Sequence, residues 1–254
     1  MIMQTTKVSI NNKIDANFIK IIPILYHKKS LKETRNRGIY RKVRLLRLWV
    51  FFVIMKVMKS YNTLNDYYRK LFGEKTFKVP IDAGFDCPNR DGTVAHGGCT
   101  FCTVSGSGDA IVAPDAPIRE QFYKEIDFMH RKWPDVQKYL VYFQNFTNTH
   151  EKVEVIRERY EQAINEPGVV GINIGTRPDC LPDETIEYLA ELSERMHVTV
   201  ELGLQTTYET TSDLINRAHS YELYVETVKR LRKYPKIEIV SHLINGLPGE
   251  THEM

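Results

Sequence analysis

From Tyr61 onward the apolar residues fall into two alternating periods. Leu64, Tyr67, Tyr68 and Leu71 recur at helical spacing and predict a short amphipathic helix ending at Gly73. Five short apolar runs read as strands, at residues 77–83, 139–143, 169–174, 198–204 and 237–244. Helical stripes lie between them. Ile118, Phe122, Ile126 and Met129 form one behind Pro117, and Val153, Ile156, Tyr160 and Ile164 form another, closed by Pro167 and Gly168. Ile186, Leu189, Leu192 and Met196 follow Pro182, and Tyr224, Val228 and Leu231 follow Ser220, whose hydroxyl suits an N-cap.

Strands alternating with helices, the last four strands at a spacing of about 30–40 residues, mean βαβ units and a parallel sheet. The fold class is α/β. The strands are nearly continuous apolar runs, which predicts burial on both faces. A partial barrel and an open doubly wound sheet both fit this pattern. Five strands are too few for a closed barrel. The sequence stops at Thr251-His-Glu-Met254, where another helix is expected. The fifth strand is therefore expected to be an open edge and the domain to be C-terminally incomplete.

The formal net charge of +3 hides a division. Residues 1–60 carry 14 Lys/Arg and 2 Asp/Glu, a balance of +12; residues 61–254 carry the other 21 and 30, a balance of −9. An acidic globular part argues against strong phosphate binding by the core. Residues 1–58 read as a basic N-terminal extension that is disordered or foreign to the native chain, and residues 59–254 as the core domain. The apolar run at 48–55 is too short to span a bilayer and lacks a cleavage site, so no stable membrane insertion is expected. Met55 and Met58 are the expected natural starts, with a lipid-surface anchor as the rival reading.

Chemistry concentrates in one loop. Cys87, Cys99 and Cys102 form a C-x11-C-x2-C run, while Cys180 stands apart as an inert thiol. This is not a secreted disulfide framework; thiolate metal ligands fit a reducing cytoplasm. A closed Cys3His zinc site with His96 and an iron–sulfur cluster with one open iron both fit, and spacing does not decide between them. Each predicted strand also ends in polar or glycine residues: the cysteine loop, Gln144 to Thr149, Gly175 to Asp179, Gln205 to Thr207, and Asn245 to Glu250. In parallel α/β folds that rim binds ligands. His130 and His197 read as helix-end residues.

The segments Asp82-Ala-Gly-Phe-Asp-Cys-Pro-Asn-Arg-Asp-Gly-Thr93, Gly97-Gly-Cys-Thr-Phe-Cys102, Gly175-Thr-Arg-Pro-Asp179, Glu201-Leu-Gly-Leu-Gln-Thr-Thr207, Ile215-Asn-Arg-Ala-His219 and His242-Leu-Ile-Asn-Gly-Leu-Pro-Gly-Glu250 occur in that order. Together they resemble radical SAM enzymes, within them the YhcC-like group. A more distant likeness runs to the catalytic subunit of Elongator and to oxygen-independent coproporphyrinogen oxidase. The resemblance covers the chain from about Tyr61 to its end.

That resemblance implies a partial (β/α)6 TIM-like barrel of the radical SAM type, truncated here after the fifth strand. It implies a 4Fe-4S cluster on Cys87, Cys99 and Cys102, whose open iron chelates S-adenosylmethionine (SAM). Reductive cleavage would give methionine and a 5′-deoxyadenosyl radical that abstracts hydrogen from a substrate. Phe101 would lie near the SAM adenine, Gln205 would contact the ribose, and Arg217 would pair with the SAM carboxylate. Asn145 and Thr147 would meet the amino group, and Arg177, Glu201, Asn245 and Gly246 complete the implied cofactor set. A reductant such as flavodoxin or ferredoxin is the implied partner, and the substrate is a small molecule or RNA. The chain departs from the family pattern in its x11 spacing, in Gly175 where Elongator-like chains carry a carboxylate, in His242 where the porphyrin relatives carry an acid, and in Ala218 where a glycine is usual.

Overall fold

A computed structural model describes residues 61–106 and 111–251 of the chain. The readings made for residues 1–58, including the apolar run and the starts at Met55 and Met58, lie outside the described residues. From Asn65 onward the described residues belong to one compact unit.

Helix α1 (Leu64–Phe72) precedes β1 (Thr76–Ile81); α2 (Ile118–His130) and β2 (Lys138–Phe143) follow the cysteine loop. Next come α3 (Val153–Ile164), β3 (Val169–Thr176), a 3-10 turn (Pro178–Cys180), α4 (Asp183–Ser193) and β4 (His197–Gln205). The short α5 (Glu209–Leu214), α6 (Tyr221–Leu231) and β5 (Ile237–Leu243) complete the order. Ser220 caps α6 as its position requires, accepting from Leu223 N at 3.2 Å. The short α5 and the 3-10 turn have no apolar stripe long enough to read. His197 starts β4 rather than ending a helix; His130 does close α2.

All four strand pairings are parallel, in the order β1-β2-β3-β4-β5. A doubly wound sheet reverses its strand order at a switch point, and this sheet does not. Right-handed crossovers in an unreversed order place the helices on one face, as in a partial barrel. Accordingly α2 packs on β1, α3 on β3, α4 on β4 and β5, and α6 on β5. Val79, Ile81, Val141, Phe143, Ile172, Ile174, Val200 and Leu202 fill that layer together with Phe122, Ile156, Tyr160, Leu189 and Leu231. Each such side chain stabilises the fold by about 1.5–3 kcal/mol through burial. Phe143 and Tyr160 stack with centroids 4.8 Å apart.

Across the central strands the other face is buried as well, as expected, but it is largely polar. There Lys78, Tyr142, Asn173, Glu201, Glu238 and His242 project, one or two from each strand, and bond one another or α1. Strand side chains alternate, and polar residues occupy every second position within runs whose average is still apolar. Helix α1 closes the N-terminal end of this face. Tyr67 donates to Glu238 at 2.8 Å, and Phe72 meets the His197 ring edge-on at 5.6 Å. Its working face is therefore Tyr67, Tyr68 and Phe72, while Leu64 and Leu71 are exposed.

Candidate functional site

The C-terminal ends of the strands open on a cleft lined by all three loop cysteines. Phe101, Thr147, Arg177, Glu201, Gln205 and Arg217 line it too. Asn145 does not: its amide turns to Asp82 Oδ2 at 3.1 Å, while Gln144 and Phe146 face the cleft. Phe146 has a φ of 60°, a left-handed turn that reverses the alternation at this strand end. Asn245 and Gly246 are exposed beyond β5 and also lie outside the lining. Arg90, Gly203, His219 and His242 belong to it. Arg90, Gly203, His219 and His242 sit inside motifs already quoted, though none was assigned to the cofactor set; Phe146 carries no local signal.

The long excursion between Cys87 and Cys99 is a folded unit. The Cys87 carbonyl accepts from Arg90 N and Asp91 N, at 2.7 and 3.0 Å, and the Pro88 carbonyl from Val94 N and Ala95 N. The buried Asn89 accepts from Gly98 N at 2.7 Å through its own carbonyl. The Arg90 guanidinium donates to the carbonyls of Val104, at 3.0 Å, and Thr103, drawing the far end of the loop back. The loop is then tied to the segment after α5. Asn89 Nδ2 donates to Asn216 O at 2.5 Å, Asn216 Nδ2 donates to the carbonyls of His96 and Gly98, and Thr100 N donates to Ile215 O. The x11 spacing is thus accommodated by two turns and a staple.

That same segment carries Arg217, which is 1% exposed. Its Nη1 donates to Leu204 O at 2.7 Å and Thr206 O at 2.5 Å, and its Nε to His219 O at 3.0 Å. Its Nη2 makes no hydrogen bond among the described residues and has Glu209 Oε1 at 3.5 Å. Arg177 holds the backbone around it. Nη1 of Arg177 donates to Arg217 O at 2.7 Å, and a two-pronged pair with Asp179, at 2.9 and 2.7 Å, fixes the Arg177 fork. Burial, then the charges of Arg177 and Arg217, push His219 down to about 4, so it is a neutral ring whose Nε2 donates to Gly203 O at 3.1 Å.

Backbone strain clusters here. Gln205, Asn216 and Ala218 have φ of 58°, 51° and 59°. At Gln205 the β4–β5 register slips, and the bulge turns its side chain back over Gly203. A Cβ on Gly203 would sit 2.7 Å from Gln205 Nε2, so any larger residue there would displace the Gln205 amide from its place.

Glu201 forms the floor. Its carboxylate accepts from Lys78 at 2.5 Å, Tyr142 at 3.0 Å, Asn173 at 2.8 Å and His242 at 2.7 Å. Burial alone would raise its pKa, but the His242 bond and the Lys78 charge overcome this and hold it at about 2. Four donors saturate the carboxylate, leaving the His242 ring as the polar group this network presents to the cleft.

The donor set suits a soft metal group. Cys99 is held at about 6, first by its contact with Cys102, against desolvation, then by the Asn89 amide and the charges of Arg177 and Arg217. The buried Thr147 hydroxyl and Arg217 Nη2 are polar atoms in the walls that make no hydrogen bond among the described residues. Among the described residues no three His, Cys, Asp or Glu side chains gather as a single-ion site. His96 is exposed and lies outside the lining that holds the three cysteines. Cys180 is buried beside a second cleft, 3.9 Å from His150 Nδ1. Desolvation pushes its thiol up, as expected of an inert cysteine. No helix among the described residues is long and apolar enough to cross a membrane.

Comparison with known proteins agrees with this geometry. The chain is 57% identical over 196 residues to the uncharacterized protein YtqA of Bacillus subtilis, covering 77% of this chain and 60% of YtqA. It is 39% identical over 197 residues to YhcC of Escherichia coli, covering 77% and 62%. It is 29% identical over 168 residues to a tRNA-2-methylthio-N(6)-dimethylallyladenosine synthase of Thermodesulfovibrio yellowstonii, covering 61% and 35%. The chain therefore spans about three fifths of the length of YtqA and YhcC. The sequence profile of the Radical SAM superfamily matches residues 90–254, starting just after Cys87. The chain belongs to the radical SAM superfamily of enzymes, in the group of YhcC-like proteins.

Proposed function

We propose that this chain holds a 4Fe-4S cluster on Cys87, Cys99 and Cys102 and binds S-adenosylmethionine in the adjoining cleft. The observation that carries the reading is the shared cleft: three thiols, one held low first by its contact with Cys102, and an arginine edge with no hydrogen bond among the described residues. When bound, the cluster supplies the electron that cleaves SAM reductively to methionine and a 5′-deoxyadenosyl radical.

The chain's own residues position and shield. Arg217 is the cation for the SAM carboxylate, since its remaining N–H edge is planar and fixed by three backbone bonds. Gln205, held by its bulge, is the ribose contact, and Phe101 offers an apolar face to the adenine. Thr147 supplies a hydroxyl with no hydrogen-bond partner among the described residues. Arg177 acts indirectly, by holding the Arg217 backbone. Glu201 acts through His242, because its oxygens are already engaged.

A small reductant such as flavodoxin or ferredoxin completes the system, in the cytoplasm, where thiols stay reduced. The similarity to a tRNA-modifying synthase favours an RNA substrate. The acidic balance of residues 61–254 makes a small molecule the competing outcome. Anaerobic reconstitution tests the reading: iron and sulfide should load with a visible charge-transfer band, and dithionite should drive 5′-deoxyadenosine formation from SAM. Zinc alone, with no iron or sulfide taken up, would refute it.

A further inference from the structure

We infer that Asn89 is a positioning residue for the cluster: its side-chain N–H donates to the Cys99 sulfur and raises the cluster's reduction potential. The inference rests on the cluster reading above. Asn89 Nδ2 lies 3.4 Å from Cys99 Sγ and 2.5 Å from Asn216 O. An amide nitrogen carries two hydrogens, one for each of these acceptors. The orientation is fixed, because exchanging the amide oxygen and nitrogen would bring two oxygens to 2.5 Å.

Asn89 is fully buried, and its Oδ1 has no partner among the described residues. Burying that oxygen unpaired is unfavourable. An apolar side chain of similar size would fill the space without that penalty, so the distinctive contribution of the amide is its pair of N–H groups. One of them fixes the loop against Asn216; the other meets the sulfur. The Asn89 carbonyl also takes Gly98 N at 2.7 Å, so a single residue sets both the backbone and the sulfur environment of Cys99.

The physical effect has a definite sign. A hydrogen bond to a ligating sulfur favours the more negative, reduced state, which moves the potential upward. Easier reduction matters at this position because the reaction begins with electron uptake.

The test compares three variants of the reconstituted chain by redox titration followed spectroscopically, with iron and sulfide measured for each. Asn89→Leu removes both donors at similar volume and should shift the midpoint potential to more negative values at unchanged iron content. Asn89→Asp keeps the shape, replaces the donor with an anion and should shift it at least as far. Asn216→Gly suits the left-handed backbone there and removes only the bonds to His96 O and Gly98 O. It should lower the melting temperature of the apoprotein and leave the potential in place. Unchanged potential in both Asn89 variants overturns the inference, as does an equal shift in Asn216→Gly, which would assign the effect to loop structure. A parent protein that takes up no iron and sulfide overturns the cluster reading, and the inference with it.

Discussion

Glu201 Oε2 and His242 Nε2 meet at 2.7 Å on the inner face of the sheet, joining β4 to β5 at the floor of the cleft. The same carboxylate takes Lys78 from β1, Tyr142 from β2 and Asn173 from β3, so one side chain ties five strands. Its pKa of about 2 lies below the unfolded range near 4.3. A carboxyl depressed on folding contributes stability above its unfolded pKa and loses it as the pH falls toward the folded value. The contribution is on the order of 3 kcal/mol. Urea denaturation should therefore show a stability loss between about pH 5 and pH 2, the window of such a carboxyl. Glu201→Gln should flatten that limb and lower stability at pH 7 by roughly 3 kcal/mol, because the half-buried Lys78 loses its charge partner and one hydrogen-bond acceptor of the network becomes a donor. A parallel pH profile in the variant would remove this role.

Ala218 follows Arg217 at a φ of 59°, where a Cβ is unfavourable. The family's usual glycine there relieves that strain. Ala218→Gly should raise unfolding stability by about 0.5–1 kcal/mol, the left-handed strain of about 1–2 kcal/mol less the extra backbone entropy that glycine loses, about 0.5–1 kcal/mol. Ala218→Val should lower it, since branching at Cβ worsens the same clash. Guanidinium denaturation of both variants checks the sign, and a glycine variant less stable than the parent would contradict the argument.

The four cysteines should separate cleanly. Cys87, Cys99 and Cys102 share the cleft with Arg217, while Cys180 sits by the other cleft near His150. Cys87→Ala, Cys99→Ala and Cys102→Ala should each lose most of the reconstituted iron, because three thiolates are the minimum set for the cluster. Cys180→Ser should keep it at the parent level. Iron retained in any one of the three, or lost with Cys180, would redraw the ligand assignment.

Much of this was readable from residue spacing, and the parts that were not have specific physical reasons. The strand–helix alternation placed every strand because apolar periodicity reports the buried layer directly. Lys78, Glu201 and His242 sat in the same runs yet face the other way, and a run that is apolar on average conceals which alternate positions turn inward. The choice between a partial barrel and a doubly wound sheet rested on strand order, which local spacing does not encode. Within the cleft, the cysteines, Gln205 and Arg217 stand in contiguous motifs and were legible. Asn145 turns to Asp82 rather than to the cleft, beside a left-handed turn at Phe146 that an ordinary aromatic residue does not announce. Arg90 and Asn89 act through loop carbonyls and a sulfur some ten residues away, contacts that appear only once the excursion folds.

Arg217 offers the sharpest test of the cofactor site because it has two separable jobs. Three of its hydrogen bonds go to the carbonyls of Leu204, Thr206 and His219, which makes it a strut of the fold. Its Nη2 edge has no hydrogen bond among the described residues and is the part proposed to meet the SAM carboxylate. Arg217→Lys keeps one positive charge but loses the planar fork, so both jobs should suffer, in different measurements. Unfolding stability should fall by roughly 1–3 kcal/mol through carbonyls left unpaired. SAM affinity, measured by equilibrium dialysis on cluster-loaded protein, should fall by about 1.5–3 kcal/mol, the range of a hydrogen bond to a charged group. Glu209→Gln provides the internal control. It neutralises the carboxylate that lies 3.5 Å from Nη2, on a half-exposed side chain, and leaves the strut in place. If Nη2 serves the cofactor, losing that competitor should hold SAM affinity steady or strengthen it while stability barely moves. A Lys variant with parent SAM affinity, or a Gln variant that weakens SAM as much as the Lys variant does, would transfer the carboxylate to another cation of the cleft.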